Sequence, residues 1–223
     1  MPRQARVAVG DVVYHVINRA NGRVQIFANE KEYRHFESLL LEAKELTGMR
    51  ILAYTIMPNH WHLVLYPHTD KDMSEFMRWL TTTHVRQRRV ATKSIGSGHL
   101  YQGAYKSFIV EEDKHLVDLI RYVEQNPLRA NMVKRSEHWQ WGSLYRRTRG
   151  TPKEKKLLDP LPTKLPTNYL RTVNEVYNEE VLDAIRYSVK KSAPYGSDEW
   201  RDKMVKQYKL ESTVRGPGRP KRG

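Results

Sequence analysis

Apolar and polar positions alternate along this chain with two different periods, and each period predicts a type of secondary structure. Runs of β-branched and aromatic residues bounded by turn residues predict four strands, over 12–17, 50–57, 60–65 and 105–110. Apolar residues at helical spacing, with capping residues before them, predict three helices, over 30–47, 72–90 and 113–126. The resulting order is strand, helix, strand, strand, helix, strand, helix.

This order predicts an α+β protein in which helices flank a ferredoxin-like antiparallel sheet, with one helix added to the basic pattern. The composition changes after about residue 150, where prolines and lysines become frequent. We interpret residues 1–150 as one domain and residues 151–223 as a basic C-terminal extension that wraps over it. Apolar spacing predicts helices in the extension over 174–190 and 198–208.

The excess of basic over acidic residues indicates a class of binding partner. The chain has 39 Lys and Arg residues against 25 acidic ones, a net charge of +14, and no Asp or Glu occurs from Phe76 to Val110. A surface of one sign attracts polyanions and speeds their association, so nucleic acid is the favoured partner. The alternatives are a merely soluble basic surface and an anionic membrane, although no basic amphipathic helix with bulky apolar anchors supports the membrane.

Several features are absent from the sequence, and their absence restricts the class of protein further. It has no cysteines, which excludes disulfides and thiolate zinc sites. No apolar run approaches the length of a membrane span, and the first residues lack the apolar region of a secretory signal. No glycine-rich phosphate loop is present, so no nucleotide cofactor is expected. We therefore expect a soluble, cytoplasmic protein associated with the nucleoid.

Two histidines form the first candidate site. The sequence from Met57 to Leu65 predicts a tight turn at Pro58 that opens directly into a strand. Side chains alternate across a strand, so His60 and His62 share one face, where two imidazoles can bind one metal ion. The ordinary alternative is a pair of histidines with satisfied nitrogens, and a third ligand from elsewhere in the chain would decide between the two.

The third predicted helix has two distinct faces at about 100° per residue. The apolar face, expected to pack on the core, holds Leu116, Val117, Ile120 and Val123. Tyr122 and Asn126 are four residues apart and therefore neighbours on another face, with His115 beside them. We interpret Tyr122 as a side chain presented for function; the alternative is a half-buried tyrosine that covers the edge of the sheet.

These separate motifs together resemble a known family. His-Trp-His at 60–62, followed by Arg-Tyr-Val-Glu-Gln-Asn-Pro-Leu-Arg-Ala at 121–130, is similar to the HUH-type single-tyrosine transposases. In particular it resembles the REP-associated tyrosine transposases of bacteria, as do Pro-Arg-Gln-Ala-Arg at 2–6 and Tyr-His-Val-Ile-Asn-Arg at 14–19. The resemblance covers about residues 1–150, with the motifs in the right order.

The resemblance implies a catalytic site. In that family two histidines and a polar residue one helical turn after the tyrosine bind a divalent ion, and the matching positions are His60, His62 and Asn126. The implied ion is Mg²⁺ or Mn²⁺, and two imidazoles suit Mn²⁺ better. Tyr122 would be the nucleophile, leaving a 5′-phosphotyrosine link and a free 3′-OH. The general base is unassigned; His115 is a candidate base or DNA contact.

The resemblance also implies single-stranded DNA beside a palindromic hairpin as the partner. A dense basic cluster is expected to contact phosphates: Arg86, Arg88, Arg89 and Lys93. A second basic rim is expected near the first strand: Arg3, Arg6, Arg19 and Arg23. The end of the chain, which resembles an AT-hook, is predicted to be disordered when free and to tether DNA through Arg215, Arg219, Lys221 and Arg222.

The predicted function is a metal-dependent endonuclease and strand transferase of the transposase type. One alternative is a DNA hairpin-binding regulator with a decayed catalytic face, and another is an RNA- or hairpin-binding protein with structural histidines. The intact set of His60, His62, Tyr122 and Asn126 favours the enzyme. Monomer and homodimer both remain open, because relatives use the tyrosine helix either in their own site or in that of a partner.

Overall fold

The computed structural model describes residues 7–96 and 98–214. Its centre is a four-stranded sheet with the spatial order β2-β3-β1-β4. The strands are β1 Val13–Arg19, β2 Arg50–Met57, β3 His60–Tyr66 and β4 Lys106–Val110. All neighbouring strands are antiparallel. This order confirms the predicted ferredoxin-like sheet.

Helices cover both faces of this sheet. In chain order they are α1 Glu30–Thr47, α2 Asp72–Ala91, α3 Lys114–Glu124, α4 Asn126–Arg129, α5 Ser143–Arg149, α6 Pro152–Lys155, α7 Tyr169–Thr172, α8 Glu179–Lys191, α9 Asp198–Gln207 and α10 Glu211–Val214. Capping sets the bounds of α1, because the Asn29 side chain accepts from the Glu32 backbone N–H and Gly48 ends the helix at φ 69°. Asn178 caps α8, which therefore begins later than the apolar spacing predicts.

The two faces of the sheet enter two separate cores. Trp61 and Leu63 of β3 point towards α1 and α2, where they pack with Phe36 and Phe76. The other face contributes Val64 and Phe108, which lie in one core with Ile120 of α3 and Ile185 of α8. Because side chains alternate along β3, the histidines lie on this second face.

The C-terminal segment covers both edges of the sheet. At the β2 edge, the Asp159 N–H donates to the Ile51 carbonyl at 2.9 Å. At the β4 edge, the Tyr195 N–H donates to the Ile109 carbonyl at 2.9 Å. Covering an edge removes the free backbone groups with which another strand could pair.

Residues on both sides of the predicted boundary at 150 therefore share the same cores. Tyr169 and Leu182 are buried against α3, and Leu157 and Val205 are buried on the opposite side of the sheet. The division into 1–150 and 151–223 stays a prediction about function, since the packing has no break at 150. No helix within the described residues is long and apolar enough to cross a membrane.

The predicted faces of α3 need one correction. Leu119 is fully buried, whereas Val117, which was assigned to the core, is only partly buried. Tyr122, interpreted as a presented side chain, is 7% exposed and belongs to the core on this face. The reason is that the Tyr122 ring lies edge-on against His15 and His62 of the sheet and beneath the Arg129 guanidinium, so the face of α3 that carries it is also buried.

A buried histidine in the opposite core should make stability depend on pH. The Tyr101 hydroxyl accepts from the Trp61 indole N–H at 3.0 Å and lies 2.7 Å from His84 Nδ1, to which it is hydrogen-bonded. Burial lowers the pKa of His84 to about 3. The unfolded chain therefore binds more protons than the folded one below about pH 6.5, so stability is lost as the pH falls.

We expect the free energy of unfolding to fall between pH 7 and pH 5, with about 2 kcal/mol of that fall coming from His84. Replacing His84 by Leu should remove this contribution, as measured by urea unfolding at the two pH values. The exposed His138→Leu variant is the matched control and should keep the wild-type pH dependence. Equal pH dependence in wild type and His84→Leu would contradict the argument.

Candidate active site and nucleic-acid interface

His60 and His62 begin β3 and face α3. Their ring centroids are 5.2 Å apart. In the sheet His60 lies opposite Arg19 of β1 and His62 lies opposite Ile17. The predicted shared face is therefore observed, with Trp61 on the other side of the strand.

Each histidine has a partner at Nδ1. His60 Nδ1 lies 2.6 Å from Asn59 Oδ1, and His62 Nδ1 lies 2.8 Å from Nε2 of His15 on β1. Among the described residues, neither His60 Nε2 nor His62 Nε2 has a hydrogen-bond partner. Burial lowers the pKa of His60 to about 4 and that of His62 well below its usual value, with a further contribution from Arg19. Both imidazoles are therefore neutral at neutral pH, as metal ligands must be.

Tyr122 lies against this pair. Its ring centroid is 5.8 Å from that of His62 and 6.4 Å from that of His15, in edge-on geometry. The Thr55 hydroxyl of β2 donates to the Val123 carbonyl at 2.7 Å and so fixes the end of α3 on the sheet. One chain thus brings its own tyrosine to its own histidines.

A buried carboxylate anchors the same end of α3. Glu124 accepts hydrogen bonds from the Ser143 hydroxyl of α5 and, at 2.7 Å, from the Tyr169 hydroxyl of α7. Arg147 forms an ion pair with the same carboxylate. A buried carboxylate is tolerated when it is paired and hydrogen-bonded, and this one joins α3 to two later helices.

Asn126 follows Tyr122 by one helical turn. Its side-chain Nδ2 donates to the Tyr122 carbonyl at 2.8 Å, so its Oδ1 is left without a donor among the described residues. The donor set of two neutral imidazole nitrogens and one amide oxygen fits a divalent ion with mixed nitrogen and oxygen preference, of which Mn²⁺ is an example.

Two arginines that have no acidic partner among the described residues flank the site. The Arg129 guanidinium lies over the Tyr122 ring, with its Cζ 4.8 Å from the ring centroid. Arg19 Nε and Arg129 Nη1 are buried atoms with no hydrogen-bond partner. Neither arginine forms an ion pair with an acid within the described part of the chain, so their charge is available to an anion.

His115 lies elsewhere on α3. Its Nδ1 is 2.8 Å from Asp113 and 3.5 Å from Glu111, and its ring packs edge-on against Tyr195. It is seven residues before Tyr122, which places it two helical turns away. Among the described residues, Glu111, Asp113 and His115 form the one cluster of histidine and acidic side chains whose ligand atoms all lie within 4.8 Å of one another. Asp113 caps α3 and Glu111 accepts from the Ser197 N–H, so both acids have structural partners.

An acid-free groove runs beside the sheet. It has a volume of about 930 Å³ and lies between α2, which contributes Arg78 and Arg86, and the segment 98–105. A cavity of about 250 Å³, lined by Arg19 and Lys106, shares residues 102–104 with it. No described residue that lines either space is acidic. Arg78, which the sequence did not single out, and Arg86 are both exposed and have no acidic partner among the described residues.

The other predicted DNA contacts are placed differently. Arg88 donates to the Ile26 carbonyl at 3.0 Å and Arg89 to the Ser94 carbonyl at 2.6 Å, so both guanidinium groups also fix backbone. Arg23 and Lys93 are exposed. The remaining predicted contacts lie outside the described residues: Arg3, Arg6, Arg215, Arg219, Lys221 and Arg222.

Sequence reasoning missed His15, Glu124 and Arg129. A signal existed for His15, because a ferredoxin-like order places the first strand beside the third, and His15 interrupts an apolar strand as His62 does. Glu124 and Arg129 occur within the motif at 121–130, but their contacts depend on α5, α7 and the ring of Tyr122. Spacing along the sequence does not encode such contacts.

The fold and the site together define a class of protein, in which a ferredoxin-like sheet carries a histidine pair covered by a tyrosine helix. The family model described as Transposase IS200 like matches residues 8–126, more than half of the chain. This span includes His60, His62, Tyr122 and Asn126. The chain belongs to the IS200-like transposase family, which confirms the resemblance seen in the sequence.

A solved structure has the same fold. The structure of a REP-associated tyrosine transposase bound to a REP hairpin matches with a TM-score of 0.56 at 18% identity, covering 80% of this chain and 96% of the other. A crystal structure from Deinococcus radiodurans R1, of a protein assigned to the transposases, has a TM-score of 0.40 at 20% identity, covering 55% of this chain and 96% of the other. A comparison with curated proteins finds no match.

The two tyrosines at this site should differ in their effect on stability. The Tyr122 hydroxyl has no hydrogen-bond partner among the described residues, so Tyr122→Phe should change the free energy of unfolding by less than about 0.5 kcal/mol. Tyr169→Phe leaves an oxygen of the buried Glu124 carboxylate unpaired and should cost about 1–3 kcal/mol. Urea unfolding of both variants measures this. A large loss in Tyr122→Phe would mean that its hydroxyl has a structural role.

Proposed function

We propose that this chain is a divalent-metal-dependent transposase that cleaves single-stranded DNA beside a palindromic hairpin, with Tyr122 as the nucleophile. The observation that carries the proposal is the position of the Tyr122 ring, 5.8 Å from a histidine whose Nε2 is free. A tyrosine kept for packing alone would not need a neutral histidine pair and two unpaired arginines around it.

Two observations support hairpin DNA as the partner, namely the charge of this chain and the ligand bound by the related transposase. The chain carries a net charge of +14, and the described residues that line the groove include no acid. The related transposase of known structure was bound to a REP hairpin. DNA with a hairpin and an adjoining single strand would place phosphates along Arg78 and Arg86 and bring one phosphodiester to Tyr122.

The reaction requires an exchange of ester bonds at phosphorus. The Tyr122 hydroxyl oxygen forms a bond to phosphorus while the bond from phosphorus to the 3′ oxygen breaks. The electron pair of the broken bond goes to the 3′ oxygen, which takes up a proton, and the phenol proton is lost to solvent or a base. The phosphodiester energy is retained in the 5′-phosphotyrosine, so a later 3′-OH can reverse the step without nucleotide hydrolysis.

His60 Nε2, His62 Nε2 and Asn126 Oδ1 would hold the divalent ion, either Mg²⁺ or Mn²⁺. Such an ion supplies Lewis-acid polarisation of a non-bridging phosphate oxygen. All three ligands are neutral, so they leave the charge of the ion available to the phosphate. Burial keeps both histidines unprotonated well below neutral pH, as their lowered pKa values require.

Arg129 would stabilise the negative charge that develops on the Tyr122 oxygen and on the phosphate. Its guanidinium already lies over the ring and needs no rearrangement to reach the reacting region. A preorganised cation in a buried site lowers the energy of the transition state more than the same charge in water. Arg19, which lies opposite His60 in the sheet, would contribute a second positive charge to bind the phosphate.

The first test is a cleavage assay with single-stranded hairpin DNA on denaturing gels. Wild type should form a covalent protein–DNA adduct with Mn²⁺ or Mg²⁺ and none with EDTA. Tyr122→Phe should lose the adduct completely, because the nucleophilic oxygen is gone, while its hairpin affinity stays within about twofold. Tyr187→Phe, which alters a 43% exposed tyrosine, is the control and should keep the activity.

Tight hairpin binding with no adduct in wild type, across several palindromes and both metals, would contradict the proposal that this chain is an enzyme. It would instead support a regulator built on the same fold.

The second test concerns the groove. Arg78→Gln and Arg86→Gln should each weaken hairpin DNA binding and reduce the slope of log affinity against log salt by about one. Arg186→Gln is the matched control, since Arg186 is exposed but paired with Asp183 on α8. Fluorescence anisotropy over a salt series measures the slope. An unchanged slope in both groove variants would exclude the groove as the path of the DNA.

A further inference from the structure

The second histidine ligand depends on a residue that the proposed function does not use. His15 is fully buried on β1, and its Nε2 lies 2.8 Å from His62 Nδ1. Ile17 is the direct partner of His62 across the strands, so His15 is its diagonal neighbour on the same face. Its ring packs between Phe108, at 4.8 Å, and Tyr122, at 6.4 Å.

A histidine at the buried position 15 costs free energy, because its polar ring nitrogens lose contact with water. His15 is fully buried and forms no ion pair with an acid among the described residues, so its imidazole is held in the core in the neutral form, which carries one N–H. His15 Nδ1 is buried without a hydrogen-bond partner, whichever nitrogen carries the proton. Leucine or phenylalanine would fill the space beside Phe108 without leaving a polar atom unpaired. The one polar contact that His15 makes among the described residues is the bond to His62.

The hydrogen bond between two neutral imidazoles contains one proton. The nitrogen that carries this proton determines the tautomer of His62. If His62 Nδ1–H donates to His15 Nε2, then His62 Nε2 carries a lone pair. If His15 Nε2–H donates instead, His62 Nε2 carries a proton and cannot bind a metal. His60 has the corresponding arrangement, in which its Nδ1–H donates to Asn59 Oδ1.

We propose that His15 is the positioning residue of the metal site: it accepts the His62 Nδ1–H and thereby presents His62 Nε2 as a ligand for a divalent cation. The inference rests on the proposed function, since it assumes that His62 binds the ion. A hydrogen-bond partner behind a ligating histidine fixes the orientation of its ring and its tautomer. Asn59 serves His60 in the same way, from the turn between β2 and β3.

The test compares two amides of different reach. The amide of Gln at position 15 reaches the position of Nε2 and can accept from His62, whereas the shorter amide of Asn reaches only that of Nδ1. Full-length protein is titrated with Mn²⁺ in the absence of DNA, and free Mn²⁺ is followed by electron paramagnetic resonance. His15→Asn and His15→Phe should bind Mn²⁺ about 10–100-fold more weakly than wild type, and His15→Gln should stay within about threefold.

His84→Asn is the matched control, because it removes another buried histidine on the opposite side of the sheet and should leave the Mn²⁺ affinity unchanged. Equal affinity in wild type, His15→Asn and His15→Phe would overturn the role of His15 and leave the metal site standing. Absence of Mn²⁺ binding by wild type, with and without hairpin DNA, would overturn the metal site itself and the inference with it.

A measurement on wild type covers the case in which the His15 variants do not fold. Nitrogen-15 spectra of the protein with Mg²⁺ should show His62 protonated at Nδ1, with the signal assigned by its loss in His62→Asn. Protonation of His62 at Nε2 in the metal-loaded protein would overturn the proposal.

Discussion

The buried Glu124 carboxylate is the interaction on which the site depends. A carboxylate excluded from water must be fully paired, and Glu124 meets this need with Arg147, Ser143 and Tyr169. These partners come from α5 and α7, which follow the histidines and Tyr122 in the sequence. Gln125 adds a further link, because its side chain donates to the Glu175 carbonyl at 2.7 Å. The position of the tyrosine helix on the sheet therefore depends on Thr55 within the family-matched span and also on residues beyond that span, which ends at 126.

The arginines around the histidines would connect the proposed metal binding to DNA binding. Arg19 contributes to lowering the pKa of both His60 and His62, and Arg129 contributes to lowering that of His62, so both cations act on the place where the ion would bind. A divalent cation among two arginines is opposed by Coulomb repulsion until an anion enters. A phosphodiester would supply that anion, so the ion and the substrate should each favour binding of the other. A site built from carboxylates would hold its metal without this dependence.

Sequence reasoning succeeded where the information is local. Strand alternation placed His60 and His62 on one face, and the capping residues Asn29 and Gly48 gave the bounds of α1. It did not predict the burial of Tyr122, which follows from the contacts of its ring with His15, His62 and Arg129. It also did not find that Arg88 donates to the Ile26 carbonyl, because this acceptor lies far from Arg88 in the chain. What remained out of reach was set by contacts between elements far apart in the chain.

The end of β1 explains how DNA could reach a site on the covered face of the sheet. β4 pairs with β1 only as far as Ile17, and beyond this point the segment 102–104 lies beside β1. Alternation then places Asn18 on the side of the α2 groove and Arg19 on the side of the histidines. The groove and the smaller cavity both include Asn18 and residues 102–104. A single strand that follows the acid-free groove would thus pass over the segment 102–104 and arrive at Arg19, opposite His60.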